Sequence, residues 1–385
     1  MDNELRELHD LLNLLEKHMD PDHCREADER YKGSLNYMDI DRPPVVIQSD
    51  SDGMLGLPPP WGMFRRYQYS EAFGNPAAMM QNMLLNRVVP GVILKDDNPL
   101  AIRNDHGTIL VASAFGVKRH MHENNYPWVS HLDSVHDIKI LLDTEAQSDI
   151  FSSGIINFAI GTLKFYNQTL DQYPLCKKAI QISLPDLQGP MDTAEQLWGS
   201  GIYFAFYDDP ALLAKLLSRI SCTMLSIERE FRKYSYDRLD PAFNTQHGYV
   251  IPGRIMIRDD SAIMVSPDQY KDHIKPFDEM VLKESGTGSI HFCGNGQHLI
   301  EKMLEIPYLK GLDFGEPEKM DINNIYGMSR EKKVALTNLN PPREDLINGT
   351  AAASFPTGAV FVYHTNNFDD ASEVVAGYKK NSRYS

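Results

Sequence analysis

The sequence predicts an α/β fold, a single (β/α)8 TIM barrel with an N-terminal helical extension. Short apolar runs of strand length alternate with amphipathic segments over most of the 385 residues, which is typical of parallel strands joined by helices. No internal repeat, low-complexity tract or linker interrupts the alternation, and a leucine-rich segment precedes the first strand. We therefore place the helical extension at residues 1–40 and the barrel at residues 41–385.

The N-terminal segment, residues 4–18, carries six leucines on one broad helical stripe. Such a stripe needs a partner surface, either the barrel or a second copy of the chain. A homodimer is therefore one expectation. The segment is acidic, unlike the basic start of a secretory signal peptide.

Composition limits the classes of partner. The net charge is −15 and the sequence pI is about 5.3, which argues against nucleic acid or an anionic membrane as the main partner. We find no run of about 18 apolar residues that would span a membrane. The four cysteines are scattered without a pattern, which indicates reduced thiols rather than a disulfide framework. The cytoplasm is the expected location.

The elements follow from the apolar pattern. Strands are expected at residues 45–47, 88–94, 108–115, 179–184, 253–257, 289–293, 309–314, 333–338 and 359–363. Helices are expected at residues 20–37, 77–85, 155–166, 212–234, 297–306 and 369–380. Cys222 should be buried in the long helix. Asp96 and Asp97 follow an expected strand, where a barrel places catalytic residues, although a solvated turn is the simpler interpretation.

Histidines outside these strands are weaker candidates. His120, His122 and His131 lie in a polar, aromatic loop without metal-ligand spacing, so surface positions are expected. His247, just before the strand at residues 253–257, is a plausible pocket residue.

The strongest chemical signal is the pair His291 and Cys293. Residues two apart on a strand point to the same face, so an imidazole and a thiol lie side by side at its carboxyl end. This combination of nitrogen and sulfur ligands suits zinc. A helix after the Gly-Asn-Gly turn at residues 294–296 would aim its N-terminal amides at the same place. The alternative is a core strand with a buried cysteine and a hydrogen-bonded histidine.

Three stretches, the last of which holds two segments, resemble the uroporphyrinogen decarboxylase superfamily. Residues 291–295 read HFCGN, and residues 311–321 read GLDFGEPEKMD. A QGP segment at residues 188–190 and an S-P-x-x-Y segment at residues 266–270 precede them. The closest resemblance is to the branch of zinc-dependent, corrinoid-linked methyltransferases, in which the H-x-C-G-N strand holds zinc. The resemblance covers roughly residues 40–380 and implies the same barrel.

The resemblance also implies site residues. His291 and Cys293 would be zinc ligands, and Gln188 would face the cavity. A late cysteine that usually closes the zinc site is missing here, and His364 is the candidate to replace it. Asp259 and Asp260, at the end of a strand near the pair, would complete the ligand set or transfer protons.

The implied reaction moves a methyl group between an O-, N- or S-methyl small molecule (or a thiol) and the corrinoid (cobalamin) cofactor of a partner protein. Zinc would act as the Lewis acid. Acidic residues after the first strand, at positions 50 and 52, suggest an acidic mouth that suits a neutral or cationic methyl donor.

Two alternatives stay open. One is a decarboxylase of uroporphyrinogen-like substrates, which needs no cofactor but requires clustered arginines around its pocket. Arginines are absent from residues 48–53 and appear only later, at Arg65 and Arg66. The other is a non-catalytic binding subunit, which the missing late cysteine would favour.

Overall fold

The computed structural model describes residues 2–49, 54–132, 134–143, 150–239 and 241–382. Twelve strands are found there: β1 Val45–Gln48, β2 Ala101–Ile102, β3 Arg119–His120, β4 Trp128–Val129, β5 Gln181–Ile182, β6 Phe243–Gln246, β7 Tyr249–Pro252, β8 Ile255–Arg258, β9 Gly288–Phe292, β10 Leu309–Phe314, β11 Ala335–Leu339 and β12 Ala359–His364. Six of them form a parallel sheet in the order β1-β12-β11-β10-β9-β8, and β2 pairs with β5 in parallel. The predicted α/β class with a parallel sheet is confirmed, and closure into a barrel stays a prediction.

Helices surround this sheet. They are α1 Asp2–His18, α2 Pro21–Leu35, α3 Tyr69–Phe73, α4 Pro76–Met83, α5 Val89–Leu94, α6 Leu110–Ser113, α7 Val135–Asp143, α8 Ile156–Leu170, α9 Pro174–Ala179, α10 Pro190–Trp198, α11 Ile202–Asp208, α12 Pro210–Arg232, α13 Pro267–Gln269, α14 Lys275–Glu284, α15 Ile300–Met303, α16 Ile322–Lys332, α17 Arg343–Asn348, α18 Thr350–Ser354 and α19 Phe368–Asn381. One large apolar cluster lies between the strands and these helices.

The leucine stripe of α1 is covered by the chain itself. Leu8, Leu11, Leu12 and Leu15 are fully buried, and α1 packs against α4 and α9. The stripe therefore gives no separate support for a homodimer, which stays an untested expectation.

Two of the predicted strands are wrong. Residues 88–94 continue from α4 through a π-helical turn, Leu84–Val88, into α5, and α6 lies within residues 108–115. Val88, Val89 and Leu110 are almost completely buried. A helix that is apolar on all sides shows no helical period, so a short one is easily mistaken for a buried strand.

Two further predictions, on the burial of Cys222 and on the helix at residues 297–306, are also wrong. Cys222 is exposed rather than buried, because it lies on the outward face of α12. The expected helix at residues 297–306 is reduced to a 3-10 turn, Gln297–Leu299, and the short α15.

Among the described residues, one helix meets the length and composition of a membrane span. It is α12, and more than half of its apolar window is buried inside the protein. Buried core helices share this composition, and α12 packs against α10 and α14.

The solvated-turn interpretation of Asp96 and Asp97 is also wrong. Both carboxylates are completely buried beneath β1. Asp97 is paired with Arg42, and the Nη1 atom of Arg30 lies 2.6 Å from its Oδ1 atom. Asp96 Oδ2 accepts a hydrogen bond of 2.7 Å from the Ile47 amide. These acids hold the first strand in place and do not face solvent.

Candidate metal centre

The register of β8, β9 and β10 places three polar residues in one row. Arg258 pairs with His291 across β8 and β9, and His291 pairs with Asp313 across β9 and β10. Neighbours in register on parallel strands point to the same face of a sheet. The neighbouring strand residues Ile257, Phe292 and Phe314 are apolar, so the row concentrates charge at the carboxyl edge of the sheet.

His291 is the centre of this row. Its Nδ1 atom lies 2.5 Å from Asp313 Oδ1. On the other side, its Nε2 atom lies 3.4 Å from Cys293 Sγ and 3.8 Å from Asp260 Oδ1. The Cys293 amide donates a 2.6 Å hydrogen bond to Asp260 Oδ1, which ties the loop after β8 to the end of β9. One nitrogen, one sulfur and one carboxylate oxygen lie within 4.8 Å of one another.

Electrostatics favour a charged His291 when no metal is bound. Burial opposes the imidazolium, but hydrogen bonds with Asp313 and Cys293 outweigh it and raise the pKa of His291 to about 10. Burial alone would raise the pKa of Asp313, yet the hydrogen bonds from His247 and His291 hold it well below its usual range. Tyr249 and Thr337 donate further hydrogen bonds of 2.8 and 2.6 Å to Asp313 Oδ2. Asp313 is therefore a fixed, ionised acceptor.

A β-hairpin delivers a second histidine to this row. His247 and Gly248 form the turn between β6 and β7, with φ angles of 53° and 92°. The His247 ring packs edge-on against His291, with centroids 4.8 Å apart. Arg258 Nη2 donates to His247 Nε2 at 2.7 Å. Burial and this guanidinium lower the pKa of His247 to about 3, so its ring is neutral.

His247, His291 and Asp313 also form a possible ligand group. Two observations favour the other group, Asp260 with His291 and Cys293. Asp313 is already saturated with hydrogen bonds, and His247 Nε2 is occupied by Arg258. A carboxylate that accepts from the far nitrogen of a histidine is the usual support of a metal ligand rather than the ligand itself.

The remaining candidates from the sequence lie around this group. Asp259 is completely buried, and its carboxyl group shares a hydrogen bond with that of Asp278. Burial, followed by the neighbouring carboxylates, raises its pKa well above the usual value. Asp259 therefore lies behind the loop, while Asp260 faces His291. Gln188 donates to Asp186 at 3.1 Å, and Asp186 in turn pairs with Arg258.

His364 lies apart from the other two predicted ligands. It is exposed at the end of β12, where its Nδ1 atom is 3.4 Å from the Ser49 carbonyl oxygen. Within the described ranges, His364 is not grouped with His291 and Cys293. Its role as a ligand stays a prediction.

A cavity of about 570 Å³ reaches His247, which contacts His291, whereas His291, Cys293 and Asp260 are not among its lining residues. His247 and His364 line it together with a set of polar and aromatic side chains: Gln48, Arg66, Tyr67, Tyr69, Asn82, Arg87, Arg103, Asp105 and Tyr126. The acids expected at the mouth, at positions 50 and 52, lie outside the described residues. The described lining carries three arginines and one aspartate, so this part of the cavity is not acidic.

Sequence reasoning noted Arg66 but missed Asp313 and two of the cavity arginines, Arg87 and Arg103. An aspartate inside the apolar run of residues 309–314 was an available signal, because a buried charge in a strand needs a partner. Arg87 carried no such signal, since it lies in a segment expected to join a helix to a strand. Its position depends on the π-helical turn.

The chain is similar in structure to a methyltransferase from Methanosarcina mazei, with a TM-score of 0.64 and 14% identity over 92% of this chain and 98% of that chain. The likeness is one of fold. No protein-family model and no curated protein sequence matches the chain.

Proposed function

We propose that this protein is a zinc-dependent methyltransferase that moves a methyl group between a methylated small molecule and the corrinoid (cobalamin) cofactor of a partner protein. The observation that carries the proposal is the convergence of His291 Nε2, Cys293 Sγ and an Asp260 oxygen within 4.8 Å. The fold shared with a methyltransferase supports the reaction class. We place the protein in the cytoplasm, with no nucleic-acid or membrane partner.

The residues present fit zinc. Nitrogen, sulfur and carboxylate oxygen are its usual ligands, and a catalytic zinc keeps one position open for substrate. His291, Cys293 and Asp260 would hold the ion. When bound, it would supply Lewis-acid stabilisation of the negative charge that forms on the heteroatom losing or gaining the methyl group.

The chain's own residues prepare this site. Asp313 accepts from His291 Nδ1 and so leaves Nε2 facing Cys293. The Cys293 amide fixes the Asp260 carboxylate. Arg258 holds the His247 ring in the wall between the centre and the cavity. A substrate in the cavity would therefore meet the centre beside His247.

We also propose that the parallel strands close into a barrel of the uroporphyrinogen decarboxylase type. Backbone hydrogen bonds span the gaps between the paired sets of strands. The Gly189 amide donates to the Arg258 carbonyl at 2.9 Å, and the Asp97 amide donates to the Val45 carbonyl at 2.9 Å. The first links the segment after β5 to β8, and the second links the segment before β2 to β1.

The experiment that tests the proposal measures metal in protein purified without chelator or oxygen. The parent should contain zinc near one equivalent, and Cys293→Ser should contain little. Cys222→Ser is the matched control, because Cys222 is also an exposed free cysteine but lies on α12. Methyl transfer to a free corrinoid, followed by absorbance, would then identify active methyl compounds. A parent without zinc after purification and after addition of zinc would contradict the proposal.

One observation favours a second candidate. Three arginines line the cavity, and clustered arginines are what a decarboxylase of carboxylate-rich substrates requires. That reaction needs neither the metal nor the corrinoid. Release of carbon dioxide from a polycarboxylate by the zinc-free protein, unaffected by Cys293→Ser, would support the decarboxylase over the methyltransferase.

A further inference from the structure

The described part of the cavity lining, together with the residues directly behind it, has an excess of positive charge. Four guanidinium groups lie on or directly behind its wall, at Arg66, Arg87, Arg103 and Arg258. The described carboxylates that pair with them are Asp105 and Asp186. Asp186 is shared, at 3.2 Å from Arg103 and 2.5 Å from Arg258. Two guanidinium groups are left without a carboxylate partner among the described residues.

Those two groups are Arg66 and Arg87. Arg66 Nη2 donates to the Leu55 carbonyl at 3.2 Å, and Arg87 Nη1 donates to the His247 carbonyl at 3.1 Å. Both side chains are partly buried in the cavity wall. A partly buried guanidinium has five donors, and a single carbonyl leaves most of them unused. An unpaired charge of this kind is costly unless a ligand supplies its partner.

Arg87 lies close to the proposed metal centre. The carbonyl of His247 accepts from both Arg87 and Gln48, while the ring of the same residue packs against His291. One histidine residue therefore separates Arg87 from the metal centre. Tyr69 and Tyr126 add aromatic surface to the same cavity, with ring centroids 4.5 Å apart.

We infer that the substrate is an organic anion, a methyl compound with an apolar or aromatic body and one carboxylate or sulfonate group, bound through Arg66 and Arg87. Its methyl-bearing end faces the metal centre, and its acidic group lies at the arginines. The orientation of the substrate in this inference rests on the proposed methyltransferase function. It replaces the neutral or cationic donor expected from the sequence.

Calorimetric titration of the full chain tests the inference without depending on activity. The probes are 4-methoxybenzoate, 4-methoxybenzenesulfonate and the neutral 4-methoxybenzamide. The parent should bind the anions and bind the amide at least about 10-fold more weakly, as expected for charge-assisted hydrogen bonds. Stronger binding of the carboxylate or of the sulfonate distinguishes the two kinds of acidic group.

Variants identify the residues. Arg66→Gln and Arg87→Gln should each weaken binding of the anions by on the order of 10-fold and leave binding of the amide unchanged. Arg87→Lys should recover part of the loss. Arg330→Gln, an exposed arginine on α16, controls for the change in net charge. Equal affinity for anion and amide, no binding of any probe, or anion binding unaffected in both glutamine variants would overturn the inference.

Cys293→Ser separates this inference from the proposed function. The variant should lose zinc and keep anion binding, because the arginines belong to other elements. Zinc bound normally with no preference for anions would remove the inference and leave the methyltransferase proposal intact. A protein that prefers anions but never binds zinc would contradict the methyltransferase proposal and leave anion binding at the arginines intact.

Discussion

His291 and Asp313 face each other across neighbouring parallel strands, with the imidazole Nδ1 atom 2.5 Å from the carboxylate oxygen. This contact fixes the ring so that Nε2 points at Cys293 and Asp260. Asp313 itself is immobilised by Tyr249 and Thr337. The proposed metal centre would therefore be supported from inside the sheet, by a residue that is not one of its proposed ligands.

Replacing that support should weaken metal binding without removing a ligand. Asp313→Asn is expected to lower zinc affinity by roughly 10- to 100-fold, the usual cost of losing such a partner. Competition with a chromophoric chelator measures the affinity. Asp208→Asn, at an exposed position on α11, should change nothing. An unchanged affinity in Asp313→Asn would mean that His291 is not a ligand through Nε2.

Crowding the thiol should have a similar effect. A Cβ atom at Gly315 would overlap Cys293 Sγ and lie 3.1 Å from Cys293 Cα. Gly315→Ala is therefore expected to displace the thiol and reduce zinc affinity by on the order of 10-fold. Gly327→Ala is the matched control, since a Cβ atom there meets nothing within 4 Å. The same chelator competition compares them, and equal affinities would argue against Cys293 as a ligand.

Asp97 should be among the most sensitive positions for stability. It is completely buried between Arg30 and Arg42. Asp97→Ala leaves the buried Arg42 guanidinium without its carboxylate partner and removes one of the two carboxylates that pair with Arg30, the other being Asp41. We expect a loss of about 3–5 kcal/mol in the free energy of unfolding. Glu29→Ala, which breaks an exposed pair with Lys32 on α2, should change it by less than about 1 kcal/mol. Urea denaturation checks both, and similar losses would contradict the argument.

The neighbouring Asp96 should make stability depend on pH in the opposite sense from an ordinary ion pair. Burial raises the pKa of Asp96 to about 7 in the folded protein, whereas an unfolded aspartate has a pKa of about 3.9. Between these two pKa values the folded state therefore binds more protons than the unfolded state. The contribution of Asp96 to the free energy of unfolding falls as the pH rises from about 4 to about 7. Above pH 7 both states are ionised and the contribution is constant.

Asp96→Asn should remove that dependence. Relative to the parent, the variant should gain stability between pH 4.5 and pH 7.5 in urea denaturation. Asp22→Asn, at an exposed position on α2, should follow the parent. A constant difference between Asp96→Asn and the parent would show that the folded pKa of Asp96 is not raised.

Much of the sheet was predictable, because its later strands are bounded by clear turns. The strand at His291 and the strands at residues 309–314 and 359–363 appear where their apolar runs indicate. The α5 segment was not predictable, since a short helix buried on all sides has the composition of a strand. Its misassignment also concealed the position of Arg87, one of the three arginines in the described lining of the cavity.

Only the part of the site that lies on one segment of the chain was predictable. The spacing of His291 and Cys293 places two side chains on one face of a strand. Arg258 and Asp313 join the site through the register between neighbouring strands. That register cannot be predicted from the apolar periodicity of a single segment. The hairpin brings His247 into contact with His291, 44 positions further along the chain. No periodicity of the sequence connects residues at that separation, so only the folded chain brings the two rings together.

The turn at His247 and Gly248 restricts how this protein can diversify. Both residues have positive φ angles, a conformation that few residue types adopt without strain. Most mutations at either position would disturb the hairpin before they altered the cavity. Lineages that acquire a new substrate are therefore expected to vary at other residues of the cavity lining, such as Met83 and Tyr126, while the hairpin turn changes slowly.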